Sequence, residues 1–299
     1  MAAVGSNEML GFWHGVAGGR GEIFSGLPVL AGPDGMFIFP GGNPPFFRRG
    51  RWWVAESPHQ IVGGVAYDAS HGRMEDAIFD VYREMFSAAE GWHLHRIWNF
   101  VPEINSATEG LENYRAFCVG RHRAFRERCG DAAGNFMPAA SAVGTERPDF
   151  VAWFVGGRQP GKNIENPLQV PAYEYPAIHS PQPPAFSRAT LVSSGNTPRL
   201  FISGTSSIRG HETVEPGNVR AQVGVTLENL REVLTVAGVE LEKARSSSAT
   251  VYLRNATDLA FVEAALRRDG IFHRTEVTFL RADICRAELD IEIECEVRL

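Results

Sequence analysis

Four acidic side chains occupy every second position near the end of the chain: Asp290, Glu292, Glu294 and Glu296, with apolar residues between them. Side chains of a strand alternate between its two faces, so these acids share one face. The pattern alone is typical of a surface strand with a solvated acidic face. The alternative is a strand whose acidic face borders a cleft. There, desolvation and neighbouring negative charge raise the pKa of a Glu until it can donate a proton.

Two small residues could border such a cleft. Cys285 lies seven residues before Glu292, in the turn that precedes the strand. A lone cysteine is more often a small core residue than a reactive group. Gly204 ends another predicted strand, where a glycine lets a ligand or another backbone approach closely. A plain turn explains Gly204 equally well.

Three arginines are candidates for binding a carboxylate. Arg188 lies within a predicted strand, Arg254 ends one, and Arg121 lies in a predicted helix. An arginine that points from a sheet into a cleft can hold a carboxylate through two parallel hydrogen bonds. Surface ion pairs are the commoner use of such residues, and for Arg121 a surface position is the default expectation.

The elements that position these residues form two blocks, 1–157 and 186–299, joined by a proline-rich connector at 158–185 that we expect to line the cleft. Helical spacing of apolar residues predicts helices at 73–89, 111–128, 219–237 and 257–270. Short β-branched or aromatic runs predict strands at 36–39, 51–55, 63–67, 94–101, 150–155, 186–192, 199–203, 250–254, 275–280 and 289–297.

Both blocks repeat one order of elements, strands, helix, strand, helix, strand. This order predicts an α+β fold made of two tandem units, with the helices packed on one face of each sheet. The prolines of the connector exclude helix and central strand, so we expect an extended path there.

Composition excludes several classes of protein. The formal net charge is −6 and no basic stripe is present, so a nucleic-acid partner is not expected. No run approaches the roughly 18 apolar residues of a membrane span, and the first residues do not resemble a signal peptide. Four cysteines without metal spacing favour a reducing, cytoplasmic setting. Nucleotide-binding, zinc-protease and nucleophile-elbow motifs are absent from the sequence.

Several segments resemble the chorismatase family, in the family's order from about residue 94 to the C-terminus. They are IWNFV (97–101), IN (104–105), YR (114–115), FCVGR (117–121), NIENP (163–167), YP (175–176), PPAFSRAT (183–190), LFISGT (200–205), GHET (210–213), DI (283–284) and IEIE (291–294).

This resemblance implies two RidA/YjgF-like (chorismate-mutase-like) units and cleavage of chorismate with release of pyruvate, without a metal or other cofactor. It implies that Glu292 is the catalytic acid and that Tyr175 and Arg188 belong to the substrate pocket. Gly204 and Cys285 are similar to the branch that forms 3-hydroxybenzoate, because the hydrolytic branch tends to have alanine at both positions.

Further roles are expectations from residue chemistry. Arg188, Arg254 and Arg121 are candidates for the two carboxylates of chorismate, while Gln222 and Tyr175 could hydrogen-bond the ring oxygens. Cys285 could relay a proton, since thiol pKa values lie nearer neutrality than those of alcohols. A monomer or a small homo-oligomer is expected.

Three alternatives stay open at this point. The product could be a mixture of 3- and 4-hydroxybenzoate, or the hydrolysed dihydroxycyclohexadiene carboxylate. The chain could instead be a RidA-like imine deaminase that holds its substrate with Arg274. It could also be a binding module for aromatic acids without turnover.

Overall fold

A computed structural model describes residues 11–15, 22–36, 45–70, 72–130, 137–193 and 198–299. The elements up to residue 157 are β1 (Gly11–Trp13), β2 (Glu22–Phe24), β3 (Val29–Ala31), β4 (Gly35–Met36), β5 (Phe46–Arg49), β6 (Trp52–Glu56), β7 (Gln60–Asp68), α1 (Met74–Ala88), β8 (His93–Pro102), β9 (Ala107–Thr108), β10 (Leu111–Glu112), α2 (Asn113–Cys129), β11 (Ala139–Thr145) and β12 (Asp149–Gly157).

The remaining elements begin in the connector. They are β13 (Lys162–Ile164), β14 (Ala189–Val192), β15 (Arg199–Ser206), β16 (Ile208–Arg209), β17 (Glu212–Thr213), α3 (Val219–Ala237), β18 (Ser246–Leu253), α4 (Leu259–Asp269), β19 (Thr275–Arg281) and β20 (Ile291–Arg298), with short 3₁₀ turns at Ala172–Glu174, Leu241–Lys243 and Ala256–Asp258. No helix in the described part of the chain is long and apolar enough to cross a membrane.

The two halves share one strand order. The order is β6-β7-β12-β8-β11 in the N-terminal sheet and β14-β15-β20-β18-β19 in the C-terminal sheet. In each half the last pair of strands is parallel and the other neighbours are antiparallel. In each half one helix follows the second strand of the unit and another follows the third. The predicted tandem α+β fold is therefore confirmed.

The sheets lie face to face, and each carries its two helices on the outer face. The outer face of the N-terminal sheet packs with α1 and α2 in one apolar core, and the C-terminal sheet packs with α3 and α4 in another. A third core lies between the sheets and includes Phe100 and Trp153 from one sheet with Phe201 and Tyr252 from the other. The inner faces are therefore the only faces of the two sheets not covered by the four helices.

Local sequence sets the ends of α3, which the sequence predicted with the observed bounds. The side chain of Asn218 accepts a hydrogen bond from the backbone N–H of Ala221, which satisfies one of the donors that a helix start leaves open. Gly238 ends the helix in the left-handed conformation, at a φ of 69°.

The sequence missed one strand that the site depends on. Five of the seven residues of β11 are Ala, Ser or Gly, which have little β propensity, yet the strand pairs in parallel with β8 along its whole length. The connector has no α-helix and no central strand, but it is only partly extended. β13 adds an edge strand to the C-terminal sheet, residues 172–174 form a 3₁₀ turn, and the N–H groups of Gln169 and His179 close further turns on the carbonyl oxygens of Asn166 and Pro176. The predicted strand at 36–39 extends into residues 37–39, which lie outside the described residues.

One segment joins the sheet of the other half. β3 pairs with β19, at the edge of the C-terminal sheet opposite to β13. The predicted boundary near residue 157 coincides with the end of β12, but the C-terminal sheet takes one strand from the N-terminal block and one from the connector.

The close crossing of α1 and α2 yields the first prediction. A methyl group at Gly120 in α2 would collide with the carbonyl oxygen of Glu75 and lie 2.9 Å from Cβ of Ile78. Gly120→Ala should therefore lower the free energy of unfolding by about 1–3 kcal/mol, the usual cost of overpacking. Chemical denaturation measures the change.

The matched control is Gly224 in α3, because its added methyl would meet nothing within 4 Å. Gly224→Ala should leave stability unchanged or raise it by up to about 1 kcal/mol, the difference in helix propensity. Equal effects of the two substitutions would contradict this account.

Candidate active site

A cavity lies at the edge strand β11, between α2, the connector and the inner face of the C-terminal sheet. It is largely apolar and contains a few converging polar groups, as small-molecule sites usually do. Its lining consists of Tyr114, Phe117, Arg121, Ala140, Ser141, Ala142, Tyr175, Pro184, Ala185, Phe186, Arg188, Gly204, Ser206, Ile208, Cys285, Arg286 and Glu292. Tyr175, Pro184 and Ala185 of the connector are among these lining residues.

Glu292 faces the interior between the sheets, not solvent. Glu292 and Glu294 are each only 4% exposed, so the interpretation of the acidic face as a solvated surface is wrong. The hydroxyl of Ser206 donates a hydrogen bond to Oε2 of Glu292 at 3.4 Å. Burial, followed by the negative charge of Glu294, raises the pKa of Glu292 from 4.5 to about 8. The carboxyl group therefore keeps its proton at neutral pH and can donate it.

Gly204 makes room for this acid. The pairing of β15 with β20 shifts register between Ile202 and Thr205, and Gly204 lies in this bulge. A methyl group at position 204 would overlap Oε1 of Glu292. The sequence predicted that Gly204 lets a ligand or another backbone approach closely; in the structure the group that approaches it is the carboxyl group of Glu292.

Two of the predicted arginines reach the cavity. Arg121 is buried, and its Nε and Nη2 have no hydrogen-bond partner; its guanidinium lies over the rings of Tyr82 and Phe125, at 5.3 and 5.5 Å. Arg188 donates from Nη2 to the hydroxyl of Tyr175 at 2.8 Å, while its Nε is buried without a partner. Buried guanidinium N–H groups without an acceptor are strong binding groups for an anion.

Sequence reasoning missed a third arginine of the cavity. Arg286 is half-buried, its Nη1 donates to the hydroxyl of Thr213 at 3.2 Å, and its guanidinium lies 5.5 Å from the centre of the Tyr175 ring. Its position next to Cys285 was the one signal that could have pointed to it.

Arg254 and Gln222 lie outside the cavity lining, and their polar groups form hydrogen bonds with backbone atoms. Arg254 donates to the carbonyl oxygens of Leu289 at 2.9 Å and Arg286 at 3.0 Å, and to the carboxylate of Asp283. Gln222 donates to the carbonyl oxygen of Glu288 at 2.9 Å and accepts from the N–H of Asp290. Both residues therefore support the loop that carries Cys285 and Arg286.

The thiol of Cys285 lines the cavity in its neutral form. Burial, together with the nearby charge of Glu292, raises the pKa of this thiol to about 12. A proton relay through Cys285 was expected because thiol pKa values lie nearer neutrality than those of alcohols, and burial of this thiol removes most of that difference. Cys285 thus contributes bulk and a weak S–H donor next to the acid.

Two further findings concern the remaining sequence-based expectations. Arg274, on which the imine-deaminase alternative depended, is exposed before β19 and does not line the cavity. Among the described residues, no group of three or more His, Cys, Asp or Glu side chains is arranged to hold a metal ion.

Comparison with known proteins agrees with this arrangement. A family model described as "Chorismatase FkbO/Hyg5-like, N-terminal" matches residues 46–155. A 3-hydroxybenzoate synthase of Streptomyces hygroscopicus is 34% identical over 274 residues, which are 81% of this chain and 79% of that protein. A chorismatase of Streptomyces rapamycinicus is 36% identical over 257 residues, 80% of this chain and 75% of the relative.

A solved structure extends the likeness to the fold. A crystal structure of a chorismatase superposes with a TM-score of 0.75 at 34% identity, covering 84% of this chain and 78% of that one. The chain belongs to the chorismatase family.

Burial of Glu292 predicts a pH-dependent stability. Between pH 4.5 and about 8 the unfolded chain ionises this carboxyl group while the folded chain keeps it protonated, so the folded state binds more protons and loses stability as pH rises. Glu292→Gln removes this penalty. The variant should gain stability over the wild type as pH increases through this range, by at most about 1.4 kcal/mol per pH unit.

Urea denaturation of both proteins at about pH 5, 6, 7 and 8 measures this gain. These values lie in the window of roughly 4.5–8 in which the folded and unfolded chains bind different numbers of protons. A constant difference between the two stability curves would show that Glu292 titrates alike in the folded and unfolded chain.

Proposed function

We propose that this protein cleaves chorismate into 3-hydroxybenzoate and pyruvate, with Glu292 as the acid. The observation that carries the proposal is a buried, protonated carboxyl group in an apolar cavity that also contains Arg121, Arg188 and Arg286. Chorismate is a dianion with an enol ether, and its two carboxylates need cationic partners. Its methylene carbon needs an acid held in contact, because proton transfer to carbon is slow.

The chemistry starts with proton transfer from Glu292 to the methylene carbon, which becomes the methyl group of pyruvate. The resulting oxocarbenium ion is stabilised by the ionised Glu292. The bond between the ring carbon and the ether oxygen then breaks, and this oxygen leaves as the carbonyl of pyruvate. The oxygen of the neighbouring ring hydroxyl then bonds to the carbon that the ether oxygen has left, and its original C–O bond breaks. The carbon that now carries the hydroxyl loses its C–H proton as the ring becomes aromatic, and that proton restores the acid. No net water is consumed.

The arginines divide between the two carboxylates in this proposal. Arg121 and Arg188 have buried donors without acceptors, which a bound carboxylate would satisfy. Arg286 lies on the loop beside Cys285 and takes the role that sequence reasoning had given to Arg254. In this proposal the hydroxyl of Tyr175, which accepts a hydrogen bond from Arg188, bonds a ring oxygen.

Exclusion of water would select the aromatic product. Since the ether oxygen leaves with pyruvate, the oxygen of 3-hydroxybenzoate must come from the neighbouring ring hydroxyl and not from solvent. The neutral thiol of Cys285 fills space beside Glu292, where a smaller side chain would admit water. A relative named 3-hydroxybenzoate synthase, similar over most of both chains, supports this branch.

Incubation with chorismate tests the reaction. The aromatic products are separated by chromatography, and pyruvate is measured with lactate dehydrogenase. We expect equimolar pyruvate and 3-hydroxybenzoate, and Glu292→Gln should retain less than about a tenth of the turnover, since general acid catalysis contributes at least 10²-fold. Absence of pyruvate, or a fully active Glu292→Gln variant, would refute the proposal.

Substitutions at two positions test the product branch. Cys285→Ala should admit water and shift the product toward the hydrolysed, non-aromatic diene, with pyruvate still released. Gly204→Ala should displace the carboxyl group of Glu292 and lower turnover as well as change the product ratio. An unchanged ratio of products in both variants, again by chromatography, would leave the choice of branch without support; 3- together with 4-hydroxybenzoate in the wild type would indicate the mixed-product alternative.

A further inference from the structure

A buried charge pair includes Glu294, which lies two residues after Glu292 on the same face of β20. Arg96 of β8 donates from Nη2 to Oε2 of Glu294 at 2.5 Å, and the indole N–H of Trp98 donates to Oε1 of Glu294 at 2.8 Å. The two charged side chains are 1% and 5% exposed. The hydroxyl of Ser141 in β11 contacts both, accepting from Arg96 and donating to Glu294. Desolvated charges of this kind need each other, because either one alone is costly to bury.

Ser141 connects this pair to the catalytic position. Its hydroxyl oxygen also accepts the backbone N–H of Gly204 at 3.0 Å. The methyl group that Gly204 lacks would overlap Oε1 of Glu292 and lie 3.1 Å from Oγ of Ser141. The side chains of Ser141 and Glu292 thus border the same small volume.

The charge on Glu292 depends on the groups that face it from several elements. Glu294 raises the pKa of Glu292, while Arg96 and Arg188 lower it. The other titratable groups around it are Cys285 of the loop before β20, Tyr252 of β18, Tyr114 and Arg121 of the α2 segment, Tyr175 of the connector and Arg286. Arg96 and Glu294 act on Glu292 in opposite directions from one hydrogen-bonded unit, and the effect of Glu294 is the larger.

We propose that Arg96, Ser141 and Glu294 are positioning residues for Glu292: Glu294 pairs with Arg96, so that the guanidinium charge does not draw the proton from the buried acid, and Ser141 fixes the Gly204 bulge against which the acid lies. None of the three needs to touch the reacting atoms. The inference rests on the proposed role of Glu292 and adds a mechanism by which the N-terminal unit controls an acid that belongs to the C-terminal unit.

The test is the pH profile of kcat/KM for chorismate. Activity needs protonated Glu292, so it falls as pH rises through the pKa of this group. Glu294→Gln leaves the positive charge of Arg96 unbalanced beside Glu292 and should move this basic limb to lower pH by about one unit or more. Arg96→Met leaves Glu294 unbalanced and should move the limb to higher pH.

The double variant Arg96→Met/Glu294→Gln removes both charges and should return the limb toward its wild-type position. Loss of packing alone would not move the limb in opposite directions and then restore it. Glu296→Gln is the matched control, because Glu296 lies on the same face of β20 but pairs with Arg199 and Arg298. The basic limb of the pH profile of this control variant should not move.

The outcomes separate this inference from the proposed function. If Glu292→Gln is inactive but the limb does not move in Glu294→Gln or Arg96→Met, the positioning role is refuted and the catalytic role of Glu292 stands. If Glu292→Gln remains active, the proposed function fails first. Should only one of the two single variants fold, the direction of its shift relative to the double variant still decides.

Discussion

The site depends on the place where an edge strand of one sheet is bonded to a bulge in the other. β11 is the edge strand, and the bulge lies at Ser203 and Gly204. The backbone N–H of Ala140 donates to the hydroxyl of Ser203 at 2.8 Å, and the N–H of Gly204 donates to the hydroxyl of Ser141 at 3.0 Å. These bonds satisfy backbone groups that an edge strand and a bulge would otherwise leave open in a buried region. They also bring polar side chains of the N-terminal sheet next to an acid of the C-terminal sheet.

This arrangement explains why a carboxyl group can be buried without a direct basic partner. Glu292 is kept neutral by its surroundings, and Glu294 takes the available guanidinium of Arg96. The cavity in front of Glu292 has the opposite balance, since Arg121 and Arg188 carry buried donors without acceptors. An anionic ligand would therefore be drawn to the arginines and meet an uncharged acid, which does not repel it.

Much of the fold follows from sequence, and the limits have physical causes. The bounds of α3 could be predicted because Asn218 and Gly238 act locally on its two ends. The burial of Glu292 could not, since alternation shows which residues share a face but not what that face meets. β11 was missed because its small residues suit close approach to another sheet, a tertiary requirement that local propensity does not register. Arg254 was a reasonable candidate for binding an anion, but a long arginine side chain can also bond backbone carbonyl oxygens, as this one does.

β3 gives the duplicated architecture a topological asymmetry. A strand from the beginning of the chain closes one edge of the second sheet, while the connector closes the other edge. The halves therefore are not two independent domains joined by a linker. Cutting the chain at the connector would leave the C-terminal half with an exposed strand edge, the kind of surface that recruits foreign strands. The two units of this duplication therefore share one interior and cannot be separated without exposing it. A substitution in either half must remain compatible with the other half.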